Sequence, residues 1–168
     1  ASELQAMETV FQLLANAQTS DSAELARDMR ILGEGDGITM HRDRVLQDAK
    51  EQCLRRAENY APPKAQSIAI PKGASRLVFD KEIELRQHNN GIDAHQKRVL
   101  RCLAYVLSGG DTSSELMKEL ELHALEDRND DSDVPTGIAE NDLLALERKA
   151  FMALVRSQET QKKIKAAL

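Results

Sequence analysis

Asp127, Asn129, Asp131 and Asp133 alternate along the chain at the spacing with which a calcium-binding loop presents oxygen ligands to one ion. The frame breaks twice. Its sixth position, where the sharp turn needs Gly, is Ser132, and its twelfth, where a bidentate carboxylate is needed, is Ile138. The run from Glu126 to Asp133 therefore reads as an exposed, mobile acidic loop rather than a metal site. His41, His88, His95 and His123 stand in separate segments, and none pairs with another His, Cys or acid at the helical spacing of a metal motif. They are expected on the surface. Cys53 and Cys102 both fall on apolar stripes, which predicts two buried, inert thiols; a nucleophilic cysteine needs an electropositive, partly open setting. Gly33, Gly35 and Gly37 follow no strand, and Thr39-Met40 does not supply the Lys and hydroxyl of a phosphate-binding loop, so they read as a turn. Catalytic residues and metal ligands are accordingly assigned to no position.

The elements that would hold such groups are helices. Leu4, Met7, Val10, Phe11, Leu14 and Ala17 recur every three or four residues and predict a helix from Ser2 to about Gln18. Thr19 to Ser22 offer caps for a short helix from Ala23 to Leu32 that Gly33 stops. Thr39 or His41 opens the next, with Val45, Leu46, Ala49, Cys53, Leu54 and Ala57 as its stripe, and Pro62-Pro63 ends it. Ser67 to Pro71 is the one extended stretch, too short for a sheet, and reads as a surface linker. A fourth helix is expected from Ser75 to Gln87. A fifth, capped by Asp93, turns Val99, Cys102, Leu103, Val106 and Leu107 inward and stops at Gly109-Gly110. A sixth, capped within Asp111 to Ser114, carries Leu116, Met117, Leu120 and Leu125. Glu140 to Arg156 is the most apolar helix, and Ser157 caps a last one from Gln158. The fold class is all-α, with seven to eight helices and a short extended linker, divided into residues 1–63 and a region 64–168 that carries the acidic loop near 126–135.

Composition limits the partners. The 168 residues carry 23 Lys and Arg against 28 Asp and Glu, a net charge of -5 that gives no basic field for a phosphate backbone, so nucleic acid is excluded as a partner. Aromatic residues make up 3% and Trp is absent, so the core must be aliphatic. No apolar run reaches the roughly 20 residues that span a bilayer, and the first residues lack a basic region followed by an apolar stretch. With two cysteines and no disulfide framework, a soluble protein of the reducing cytoplasm, without membrane partner, is expected.

Several segments, in order, resemble one family. Thr19 to Arg27 (TSDSAELAR) and Gly37 to Lys50 (GITMHRDRVLQDAK) look like the region after the catalytic core in crotonase-type modules. Asn59 to Pro63 (NYAPP), Leu103 to Asp111 (LAYVLSGGD) and Asp142 to Phe151 (DLLALERKAF) are similar to the tail of the same large fatty-acid oxidation proteins, which combine 3-hydroxyacyl-CoA dehydrogenase and enoyl-CoA hydratase activities. The resemblance implies the C-terminal helical part of a β-oxidation enzyme without a catalytic core in this chain, since that core and the dinucleotide-binding half would lie upstream of Ala1. It departs from the family in a longer stretch from Thr112 to Pro135 and in ending at Leu168, before a short tail with Gly-Lys-Pro. A fragment or a separately encoded relic is expected, and an alternative is a non-catalytic helical interaction or assembly protein.

The resemblance carries one ligand expectation. The family's Leu-Glu-basic-basic-x-Phe pattern is Leu146 to Phe151 here, and its Phe packs on the adenine of coenzyme A, which implies a cofactor contact at Phe151 with Arg148 and Lys149 near a phosphate. Read from the residues alone, Phe151 lies beside Leu154 and Val155 and belongs to the core. A homo-oligomer, or a complex with a crotonase or dehydrogenase partner, is expected because the sheet core these helices would cover in the family is absent. The Ser2 to Gln18 helix is its expected contact.

Overall fold

The computed structural model describes residues 2–64, 67–89, 91–111, 113–120 and 137–167. The described residues form eight α-helices and one two-stranded sheet, an all-α fold as the periodicity predicts. The acidic loop, His123 and Leu125 lie outside the described residues. Among those described, no helix is long and apolar enough to cross a membrane.

Two compact units divide the chain: residues 18–64, and residues 1–17 together with 65–168. The first helix packs with the segment after residue 64. A buried ring anchors it. Phe11 of α1 (Glu3–Ala15) is 1% exposed and stacks on Phe79 with ring centroids 4.6 Å apart, and Met7 and Ala15 pack against the same cluster.

In the larger unit α5 (Ala94–Leu107) is central. Asp93 caps it: the carboxylate accepts from the Gln96 amide at 2.7 Å, and the Gln96 side chain accepts from the Asp93 amide at 2.8 Å. At the other end the Gly109 amide returns to the Val106 carbonyl and the Gly110 amide to that of Tyr105, with φ of 69° and 86°, so both glycines take the left-handed conformation that closes the helix. One side of α5, Leu100 and Ala104, packs with Phe11 of α1 and with Phe79 and Ile83 of α4 (Lys72–His88). Its other side, Cys102 and Tyr105, packs with Leu120, just past α6 (Ser114–Glu119), and with Leu146, Ala150 and Ala153 of α7 (Glu140–Arg156). Each of these large side chains, once buried, contributes about 1.5–3 kcal/mol. Arg86, held by Glu82 on its own helix at 2.7 Å, ties α4 to α1 by donating to Asn16 Oδ1 at 3.0 Å and to Gln12. After α7, Ser157 accepts from the Thr160 amide and starts α8 (Gln158–Ala167).

The linker expected over Ser67 to Pro71 is partly a strand. β1 (Ser67–Ile68) pairs antiparallel with β2 (Ile138–Ala139), Ser67 opposite Ala139 and Ile68 opposite Ile138. Gly137 permits this approach, because a Cβ there would overlap Ser67 Oγ and the Ile68 carbonyl. Two-residue strands are satisfied by a partner remote in sequence, so no local pattern announces them.

The smaller unit holds α2 (Ala23–Asp28), a 3₁₀ turn over Arg42–Arg44 and α3 (Val45–Ala57). Helix α2 stops four residues short of the expected Leu32. Arg30 adopts φ 59° and the Ile31 amide returns to the Ala26 carbonyl at 2.9 Å, so the chain turns before it reaches Gly33. The Gly33 to Gly37 segment is a turn: the Gly33 amide donates to Asp36 Oδ2, while Arg27 and Arg56 donate to the carbonyls of Asp36 and Gly35. Ala26 is the one buried hydrophobic residue described in this unit, and α3 buries none of its stripe. Leu46 is 83% exposed, and Cys53, expected inside, is exposed too. A segment this short cannot bury an amphipathic helix on both sides of its own turns.

Candidate functional site

Helix α7 carries the residues singled out for ligand contact. Its sequence is apolar on more than one side. Leu146, Ala150 and Ala153 form the arc packed on α5, each 5% exposed or less. Phe151 is not on that arc. It is 60% exposed, so the core role read from its neighbours Leu154 and Val155 does not hold: a step of one residue along a helix turns a side chain through about 100°, which carries Phe151 away from Ala150 and outward. Leu144, Arg148, Phe151 and Val155, spaced four, three and four, share the outer face, where Leu144 is 47% exposed, Arg148 is exposed and Val155 half-buried.

Arg148 and Phe151 are thus brought together, and Lys149 is not with them. Its ammonium donates to the Tyr105 hydroxyl at 3.5 Å and stands 5.8 Å from the centre of the Tyr105 ring. Burial holds the Lys149 amine below the usual lysine range, because charge is less well solvated there. Burial likewise pushes the Tyr105 hydroxyl up, and the neighbouring Cys102 adds to the shift. Lys149 therefore ties α7 to α5. On the outer face the exposed Phe151 ring has two charged neighbours one turn back, the guanidinium of Arg148 and the carboxylate of Glu147, so it offers a flat surface for an aromatic ring with a cation and an acid beside it.

The smaller unit contains an open groove of about 680 Å³, lined by Leu32, Ile38, Val45, Ala49 and Cys53 on its apolar side, with Arg55 and Arg56 also at its wall. Sequence reasoning missed this groove because it took the α3 stripe as buried. Thr39 does not cap α3 but donates to Asp48 at 3.0 Å. Among the histidines His41 and His88 are exposed, whereas His95 is half-buried with an Nδ1 that has no hydrogen-bond partner; its place in the first turn of α5, against α1 and α4, explains the difference. Among the described residues no group of three or more His, Cys, Asp or Glu could hold a metal ion.

The chain is 28% identical over 166 residues to the "Probable 3-hydroxyacyl-CoA dehydrogenase" of Bacillus subtilis (strain 168). The aligned region takes in 97% of this chain and 18% of that relative, so the chain spans about a fifth of the length of the protein it matches. No family model matches the chain, and no solved structure matches it significantly.

Proposed function

We propose that this chain is a helical, non-catalytic part of a protein of the 3-hydroxyacyl-CoA dehydrogenase type, one that also carries a crotonase-type hydratase core, and that it serves acyl-CoA chemistry by contact rather than by catalysis. The alignment carries this reading: nearly the whole chain matches a small share of a relative named for that dehydrogenase activity. Coenzyme A is the proposed ligand. Phe151 offers its exposed ring to the adenine, and Arg148, one turn away on the same face, meets a phosphate. Lys149 acts as a positioning residue through Tyr105. The net charge of -5 opposes a general attraction for the anion, so the affinity rests on this local pair and is weak. Two free thiols fit a reducing compartment, and we place the protein in the cytoplasm.

Calorimetric titration with coenzyme A tests the contact. Phe151→Ala abolishes the heat, Arg148→Ala weakens it, and Lys149→Ala destabilises α7 without removing the contact. No heat from the wild-type chain at millimolar ligand would overturn it. A second reading, a helical interaction or assembly protein, is favoured by one observation, the α3 stripe left open with Leu46 and Leu54 exposed. Silence in the titration together with capture of a crotonase or dehydrogenase partner would favour that reading.

A further inference from the structure

Helix α8 is held differently from the rest of the larger unit. From Gln158 to Ala166 its side chains are exposed, except Thr160, which is half-buried. Its one large apolar residue, Ile164, is 45% exposed, so no apolar face fixes it, and a helix of ten residues is marginal without one. Contacts at the junction with α7 hold its start. Ser157 leaves the helical conformation, with φ -72° and ψ 137°, and accepts from the Thr160 amide at 3.3 Å, while Gln161 donates to the Val155 carbonyl at 3.2 Å. Farther along, Lys163 donates to Asp93 Oδ2 at 2.8 Å, and Oδ1 of the same carboxylate accepts from the Gln96 amide. One carboxylate thus closes the N-terminus of α5 and anchors α8.

Lys163 also lines a cavity of about 510 Å³ whose wall includes Asn16 after α1, Arg86 of α4, Ile92 just before α5, and His95 and Val99 of α5. The His95 Nδ1 is buried without a hydrogen-bond partner. We propose that α8 is a strap across this cavity, hinged at Ser157 and latched by Lys163 on Asp93, and that it opens in the folded protein. The ion pair is half-exposed on both sides, and a pair this open shifts an equilibrium by at most about fivefold. The latch is therefore weak: it keeps the strap closed at low salt and lets go when the charges are screened or the Lys163 charge is removed. Opening uncovers His95 and the apolar wall of Ile92 and Val99. Helix α7 stays in place meanwhile, because Leu146, Ala150 and Ala153 remain buried against α5. This inference does not rest on the coenzyme A reading, since Arg148 and Phe151 take no part in the hinge, the latch or the cavity.

Two readouts on the full chain test the strap. In hydrogen exchange the amides of α8 are expected to exchange at least about a hundredfold faster than those around Leu146 and Ala150 of α7. Labelling of histidines with diethyl pyrocarbonate reports the cavity, with the exposed His41 and His88 as internal controls. Raising salt from about 0.01 M to about 1 M shortens the reach of charges from about 30 Å to about 3 Å. That change, and Lys163→Met at low salt, should each speed labelling of His95 about two- to fivefold and leave His41 and His88 as they were. Lys163→Arg keeps the latch and the slow rate. Because both treatments act on one ion pair, salt should have no further effect on His95 in Lys163→Met. An α8 as protected as α7, His95 labelling indifferent to Lys163→Met, or a salt response that persists in Lys163→Met would overturn the proposal. Faster labelling of all three histidines alike would also overturn it, since the substitution would then have loosened the whole fold rather than opened a strap.

Discussion

Helices α3 and α5 look alike on paper and behave differently in the fold. Both carry apolar residues every three or four positions over nearly the same length. Yet α5 buries Leu100, Cys102, Ala104 and Tyr105, while α3 buries none of its residues. The difference lies in what surrounds them. Helix α5 has α1 and α4 on one side and α7 on the other, whereas α3 has within its own unit only the short α2 and the turns that join them. Periodicity states that a helix has an apolar face; burial depends on whether enough neighbouring chain exists to cover it.

The two cysteines offer the sharpest way to break this comparison. Burial pushes the Cys102 thiol up to about 11, with nearby Arg98 opposing weakly, and so removes both access and thiolate. Cys53 is open on α3. A disulfide reagent at pH 8 is expected to modify Cys53 at once and Cys102 about a thousandfold more slowly, in step with unfolding. Equal rates would show that the α5 interior is not closed.

Stability should divide in the same way. Phe79→Ala removes a fully buried ring stacked on Phe11 and is expected to cost about 3–5 kcal/mol in urea denaturation. Leu46→Ala, on the exposed side of α3, should stay within about 0.5 kcal/mol. A large loss at Leu46 would mean that α3 packs after all. Gly137→Ala sits between these values, at about 1–3 kcal/mol, because its Cβ would force β1 and β2 apart.

The same contrast explains what could be read before the fold was known. The bounds of α7, the Asp93 cap of α5 and the Gly109-Gly110 stop are written in local chemistry, and the structure places them there. The early end of α2 was hidden because Arg30 takes a left-handed conformation usually left to Gly. The pairing of Ser67 with Ala139 joins residues far apart in sequence and leaves no periodic trace. At the candidate site, Arg148, Lys149 and Phe151 were found by the similarity of one short motif. Their division between two sides of α7 was not legible, because a helix with apolar residues on both arcs does not declare which arc is inside.

A further expected effect is electrostatic and small. Hydrogen bonding to Arg86 holds the Glu82 carboxyl below its usual range, against a smaller opposing effect of burial and with help from Gln12. A depressed folded-state value means that the contribution is fully present above the unfolded value of about 4.3 and is lost as pH falls through the folded value. The stability gap between wild type and Glu82→Gln, no more than about 1 kcal/mol for a pair this open, should therefore be constant near neutrality and close as pH drops below about 4. A gap that widens in acid would contradict the assignment.

Contact without catalysis is tested most directly by amide NMR of the purified chain titrated with coenzyme A, followed by addition of crotonyl-CoA to the same sample. Shifts confined to the outer face of α7 around Arg148 and Phe151, with crotonyl-CoA left unconverted, are the predicted result. Hydration of crotonyl-CoA by the chain, or an α7 unmoved at millimolar coenzyme A, would contradict it.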